Sequence, residues 1–248
     1  MVVVTMTCCL NLPAFLRSHN IGSLLHGVIM EQLSTESAEK LHLYRYNPIK
    51  QRLIFSGSQI IWEIICLEND LGMELKSIFN KQKNIHIKKY NASIDMSDKN
   101  MQEISYDCFV RQHMTNTDPK SFMKLDFLSP TSFKSAGSYD IFPDIKKILR
   151  SIMLNFDYFS PVTKIYDYDA LENFTEHIKI IDYNLKSMRF HLERIKIPSF
   201  KGRINVKLRG NLQLLQILNL IFAFGELSGV GIKTAMGMGN MKILKTDS

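Results

Sequence analysis

The chain is 248 residues long, enough to bury a substantial core as one large domain or two smaller ones. Hydrophobic residues make up 45% and charged residues 22%, which excludes a disordered or fibrous composition. Lys plus Arg outnumber Asp plus Glu by 31 to 24, for a net charge of +7, so polyanions are favoured partners.

Cys8, Cys9, Cys66 and Cys108 form no CxxC pair and no Cys/His spacing of the zinc-binding kind, so neither a metal nor another cofactor is expected. Met1 leads straight into Val2-Val3-Val4 with no charged n-region and no small-residue cleavage site. The longest nearly apolar run, Leu212 to Phe224, is broken by Gln213, Gln216 and Asn219 and is too short to span a bilayer. The expectation is a cytoplasmic protein without a membrane partner.

In chain order, Val2 to Leu12 reads as a strand. Ile21, Leu24, Leu25, Val28 and Ile29 then follow the spacing of a helix that buries one face. A short helix is expected over Thr35 to Leu41. Strands follow at Leu53 to Phe55 and Gln59 to Leu67, turned by Ser56-Gly57-Ser58, then a helix at Leu71 to Phe79 and a strand at Ile85 to Ile94. The second half opens with Ser105 to Met114 and Met123 to Leu128, both read as strands. Ile145, Ile148, Leu149, Ile152, Met153 and Phe156 form the clearest amphipathic stripe, and Phe142-Pro143-Asp144 suits its first turn. A helix from Ala170 to Ile180, strands within Tyr183 to Leu208, an apolar helix from Leu212 to Phe224 and a strand from Asn240 to Leu244 complete it. The predicted fold class is α+β: two tandem ferredoxin-like (βαββαβ) domains, residues 1–100 and 101–248, packed around a central cleft.

The segment Gly229-Val-Gly231-Ile-Lys233-Thr-Ala-Met-Gly237-Met-Gly239 lies after a helix and before a strand. Glycines permit positive φ and close backbone approach, so N–H groups can point at phosphate oxygens while Lys233 adds charge. It matches neither a Walker loop nor the dinucleotide fingerprint, and a plain connector of tight turns is an equal reading. Upstream, Lys179, Lys186, Arg189, Arg194, Lys196, Lys201, Arg203, Lys207 and Arg209 face only Asp182 and Glu193. Tyr183, Phe190 and Phe200 are interleaved, the pattern expected where bases stack beside neutralised phosphates. A solvated strand face is the plainer alternative.

This tail, preceded by its apolar helix, resembles the G-x-G-x5-G-x-G signature of the CRISPR-associated repeat-RNA endoribonucleases, the "Cas-six" family. Leu25-His-Gly-Val-Ile-Met-Glu-Gln-Leu resembles that family's first helix. Leu41-His42 followed by Leu53-Ile-Phe55-Ser56 resembles its catalytic-histidine region and next strand, and Phe127-Leu-Ser-Pro-Thr-Ser-Phe-Lys134 the opening of its second domain. The resemblance implies metal-independent cleavage of CRISPR precursor RNA within its repeats, by 2′-hydroxyl attack that leaves a 2′,3′-cyclic phosphate and a 5′-hydroxyl. It also implies His42 as acid or base, with Tyr44, Tyr46, Lys50 or Arg52 orienting the hydroxyl or steadying the phosphorane. The expected RNA-binding residues are Gly229, Gly231, Lys233, Gly237 and Gly239 of the loop, with Arg189, His191, Lys201 and Arg203 of the basic stretch. His26, at the edge of the first helix stripe, reads as a hydrogen-bonded flank histidine and the rival to His42. His19, His86, His113 and His177 have no comparable context. The expected partners are a repeat RNA and a possible CRISPR effector complex, with the chain a monomer or homodimer. A non-catalytic RNA-binding subunit of such a complex is the alternative function, and a ferredoxin-like scaffold for protein or small ligands, against which the basic bias argues, is a third.

Overall fold

The computed structural model describes residues 2–17, 21–56, 59–192 and 195–244. Gly57 and Ser58 of the expected turn lie outside the described residues, as do His19, Glu193 and Arg194. The chain divides into two compact units, one of residues 1–104 with 233–237 and one of residues 105–232 with 238–248.

The first unit begins with β1 (Val2–Leu10), α1 (Ile21–Gln32) and α2 (Thr35–Leu43). It continues through β2 (Ile49–Ser56), β3 (Gln59–Cys66), α3 (Asn69–Lys81), β4 (Asn84–Ile87) and β5 (Ala92–Ser105). The sheet order is β2-β3-β1-β5-β4. Within it, β2-β3-β1-β5 is the ferredoxin-like arrangement, with β5 as its last strand and β4 added at the edge. The expected single strand from Ile85 to Ile94 is therefore a hairpin: β4 and β5 pair antiparallel through Ile85↔Ile94, and a 3-10 turn at Lys88–Tyr90 joins them. The turn closes because Asn91 takes a left-handed conformation at φ 46°, which Asn tolerates better than most residues. α3 packs Leu71, Leu75 and Phe79 inward, and Gly72 lets the helix approach the Val4 side chain on β1. Glu68 caps α3, accepting from the Leu71 N–H at 2.8 Å.

The second unit contains α4 (Tyr106–Met114), β6 (Phe122–Thr131), β7 (Phe133–Ser135), β8 (Ser138–Asp140), α5 (Ile145–Phe159) and α6 (Tyr168–Glu176). β9 (Ile178–Leu192), β10 (Ile195–Leu208), α7 (Leu212–Ser228) and β11 (Met241–Leu244) follow. Its main sheet, β11-β6-β10-β9, is antiparallel throughout and has the ferredoxin-like order, with α5 and α7 as the crossover helices. The α5 stripe is buried as its spacing predicts, and Asp144 caps it by accepting from the Lys147 N–H at 3.1 Å. On α7 two of the three polar interruptions are anchors: Asn219 accepts from the Lys120 N–H at 3.0 Å and Gln216 donates to the Asn116 carbonyl at 2.7 Å.

Residues 105–114, expected as a strand, form α4 instead. Ser105 accepts from the Cys108 N–H at 3.0 Å as an N-cap, Asp107 pairs with Arg111 one turn on, and Tyr106 and Phe109 are buried together. Tyr106, Phe156 of α5 and Phe224 of α7 meet with centroids 5.1 to 6.3 Å apart. That packing decides between two local patterns that alternation alone leaves balanced. The helix expected to reach Ile180 ends at Glu176, and β9 begins at Ile178.

Candidate functional site

In the first unit, Ser34 starts α2 by accepting from the Ser37 N–H at 3.3 Å, and Lys40 and His42 fall in the helix's last turn. His42 is exposed there. Tyr44 ends the helix and is half-buried. Burial pushes its phenol above the ordinary tyrosine value, the Glu68 carboxylate adds to this, and the Lys40 ammonium opposes it. Tyr46 is also half-buried, with the Arg45 guanidinium carbon 5.5 Å from its ring centroid. His42 is thus exposed, with Leu43 and Arg45, in a segment whose aromatic members lean on the protein.

Lys50 does not join them as a surface cation. It is 4% exposed, and its ammonium donates to the Thr234 hydroxyl at 3.2 Å. Burial lowers it to about 7. The next two residues of β2 are buried as well. Gln51 donates to the carbonyls of Ala235 and Gly22 and accepts from Trp62 Nε1 at 2.9 Å, and Arg52 pairs with Glu63 at 3.0 Å. Lys50 and Gln51 together hold the 3-10 turn Thr234–Met236 against β2.

α1 approaches the same turn. A Cβ at Gly22 would collide with the Met236 carbonyl, so only glycine allows the contact. His26 lies four residues on and shares that helix face. Its imidazole is half-buried, and its Nδ1 has no hydrogen-bond partner among the described residues. Burial lowers its pKa, and the Lys233 ammonium lowers it further. The flank histidine expected to be hydrogen-bonded thus has an unpartnered Nδ1, and its pKa is held down first by burial and then by the nearby Lys233. Lys233 itself is exposed and left-handed, at φ 56° and ψ 32°, a strained conformation for a side-chain-bearing residue. Periodicity placed His26 only at the edge of a stripe; its neighbour comes from a segment more than two hundred positions later.

In the second unit, the glycines at 229, 231 and 239 all have positive φ. Gly229 ends α7 at φ 64° and ψ 178°, a region open essentially to glycine. A Cβ at Gly231 would strike the Ser132 carbonyl, and one at Gly239 the Val230 carbonyl. The N–H groups turn inward: Gly231 donates to Ser151 Oγ at 2.9 Å, Ile232 to the Ser132 carbonyl at 3.1 Å and Gly239 to the Pro130 carbonyl at 3.0 Å. Gly237, in the first unit, donates to the Thr234 carbonyl at 3.3 Å. The expected outward cradle of amides is corrected at these positions. The glycines fold the loop, and the exposed charge comes from Lys233.

The basic stretch forms the β9–β10 hairpin, whose register divides the four expected RNA contacts. Arg189 and His191 sit opposite Pro198 and Lys196, whereas Lys201 and Arg203 sit opposite Lys186 and Asn184. Strand alternation therefore puts the first pair on one face and the second on the other. Arg203 lies 3.9 Å from Asp126, and burial followed by the charge of Lys186 lowers Lys201. Phe190 and Phe200, expected as stacking rings, are 0% and 1% exposed and belong to the core; Tyr183 is 60% exposed. Among the described residues no three His, Cys, Asp or Glu side chains are grouped to hold a metal, and no helix is long and apolar enough to cross a membrane.

Residues 125–241, which include the glycine loop, match the model of the family described as CRISPR-associated endoribonuclease Cas6. A CRISPR-associated endoribonuclease Cas6 from Streptococcus thermophilus is 28% identical over 226 residues, covering 91% of this chain and 92% of its own. Another from Mycobacterium tuberculosis is 24% identical over 230 residues, covering 92% of this chain and 73% of its own. Among solved structures, a Cas6 product complex superposes with a TM-score of 0.81 at 18% identity, over 99% of this chain and all of that one. At such identity the likeness is one of fold.

Proposed function

We propose that this chain, which belongs to the family of CRISPR-associated endoribonucleases called Cas6, cuts CRISPR precursor RNA within its repeats without a metal ion. The observation that carries the reading is the half-buried His26 imidazole, with Nδ1 unpartnered among the described residues, in the unit that also presents the exposed Lys233 and His42. Cleavage requires a base to take the proton of a ribose 2′-hydroxyl as that oxygen bonds to the adjacent phosphorus. It also requires a cation to stabilise the phosphorane and an acid to protonate the departing 5′-oxygen. The products are a 2′,3′-cyclic phosphate and a 5′-hydroxyl. Imidazole serves as base or acid near neutral pH, and ammonium stabilises the charge. His42 remains the first acid/base by sequence resemblance; His26 is the second, favoured by its unpartnered Nδ1. Tyr44 or Tyr46 orients the hydroxyl, and Lys50 supports the turn that carries Lys233.

Lys233 contacts the backbone of the RNA, and Gly229, Gly231, Gly237 and Gly239 set the loop's path. Arg189 with His191, and Lys201 with Arg203, neutralise phosphates on the two faces of the hairpin. The test mixes the purified chain with repeat RNA in excess EDTA, beside a copy carrying 2′-deoxyribose at the cut nucleotide. Cutting of the first RNA alone supports the reading. Tight binding without cutting would instead make the chain an RNA-holding subunit of an effector complex, and the absence of salt-sensitive binding would defeat both.

A further inference from the structure

Between Leu75 and Ile94 the sequence carries Lys76, Lys81, Lys83, Lys88, Lys89 and His86, and no Asp or Glu. Twenty residues without an acid in a chain of ordinary charge content mark a one-sided surface. The fold concentrates their second half on the β4–β5 hairpin at the sheet edge. Ile85 and Ile87 point into the core, so His86 points out, and the 3-10 turn lifts Lys88, Lys89 and Tyr90 into solvent. Lys88 is paired with Glu31 at 3.1 Å, while the Lys89 ammonium sits 5.6 Å from the Tyr90 ring centroid.

A second aromatic side chain comes to this turn from the 3-10 turn Ala14–Leu16 that follows β1. Phe15 meets Tyr90 with centroids 5.7 Å apart and planes tilted by 60°. Phe15 is 67% exposed and Tyr90 45%, so the tilted pair leaves aromatic surface open beside the lysines. Single exposed aromatics need no explanation, but two held together next to a lysine-rich edge, on which Glu31 pairs with Lys88 and Lys89 lies over Tyr90, form the combination that binds unpaired nucleotides. Rings stack on bases of any sequence, and ammonium groups follow the phosphates. A protein partner would need an acidic face to match the same lysines.

We propose that Phe15 and Tyr90, flanked by Lys89, Lys88 and His86, form a second RNA contact that stacks single-stranded nucleotides lying outside the segment that is cut. The proposal rests on the preceding reading only in that the ligand is RNA. It assigns no chemistry to the patch, which adds affinity for RNA carrying an unpaired extension.

The experiment measures binding of the full chain to a repeat RNA with and without an oligouridine extension, and to oligouridine alone. The wild type is expected to bind the extended repeat more tightly. In Phe15→Ala/Tyr90→Ala that advantage should fall by roughly tenfold, within the range found for the loss of a stacked base. Lys89→Glu should lower the slope of log affinity against log salt by about 0.7 for each phosphate it leaves unneutralised. Cutting and binding of the unextended repeat should stay at the wild-type level. The proposal is overturned if extension brings no advantage to the wild type. It is equally overturned if both variants keep the advantage. A wild type that binds oligouridine through Phe15 and Tyr90 but neither cuts nor holds the repeat would defeat the nuclease reading and leave this one standing. All three altered side chains are exposed, and Lys89→Glu keeps both rings, so misfolding of the double variant does not remove the test.

Discussion

Lys50→Met should change how stability depends on pH. An ordinary lysine titrates at 10.5, and burial brings Lys50 to about 7. At about 1.4 kcal/mol per pH unit, the difference amounts to on the order of 5 kcal/mol. Below about pH 7 the lysine is charged in both the folded and unfolded chain, and the folded chain bears the whole cost of burying it. Between there and 10.5 the folded chain holds a neutral amine while the unfolded chain binds a proton, so stability rises with pH. Methionine keeps the length and removes the titration, at the loss of the Thr234 hydrogen bond, a cost of about 1 kcal/mol. Below pH 7 the variant should therefore be the more stable by a few kcal/mol, and its advantage should shrink by about 1.4 kcal/mol per pH unit above that. Trp62 is the chain's one tryptophan, buried in the first unit and bonded to Gln51, so its fluorescence during urea unfolding reports that unit. Parallel pH profiles for wild type and variant would refute the reasoning and show that Lys50 keeps its charge in the folded chain.

His42→Ala should abolish cutting while leaving RNA affinity close to wild type; full retained cleavage would move the acid/base role to His26. Because burial and, after it, the Lys233 charge hold the His26 pKa down, Lys233→Ala should shift the acid limb of the kcat/KM profile toward higher pH, and an unmoved limb would separate His26 from the reaction. In thermal unfolding, Gly231→Ala and Gly239→Ala should destabilise more than Gly237→Ala. A Cβ meets a carbonyl at the first two and only the Gly22 Cα, at 3.7 Å, at the third, where the cost is that of the positive φ. Ser105→Ala should cost about 1 kcal/mol through loss of the α4 cap, measured by urea unfolding.

The fold was legible wherever one periodicity dominated. The α5 stripe follows from spacing alone, because it buries a single face, and α7 from the length of its apolar run, whereas β2 begins at Ile49, four residues before the strand expected from Leu53. Residues 105–114 were not legible, since Tyr106 and Phe109 fit a helix while the surrounding alternation fits a strand, and the aromatic rings of α5 and α7 decide the matter from far away in sequence. At the site, the glycine loop and His42 could be named from the sequence. The inward turn of the loop amides, the burial of Lys50 and the meeting of His26 with Lys233 could not. Each depends on a pairing between chain positions nearly two hundred or more apart, or on hydrogen bonds that local composition does not encode. The hairpin's charge was equally plain, but its division into two faces is a matter of register.

The packing of residues 233–237 within the first unit also sets an order of events during synthesis. Thr234 follows Lys50 by 184 residues, which at roughly 5 to 20 residues per second is a delay of about ten to forty seconds. Throughout that interval the nascent first unit has a strand whose Lys50 and Gln51 await partners not yet made. Its completion is therefore tied to the arrival of residues 233–237, so a product that stops before them lacks both the glycine loop and a finished first unit.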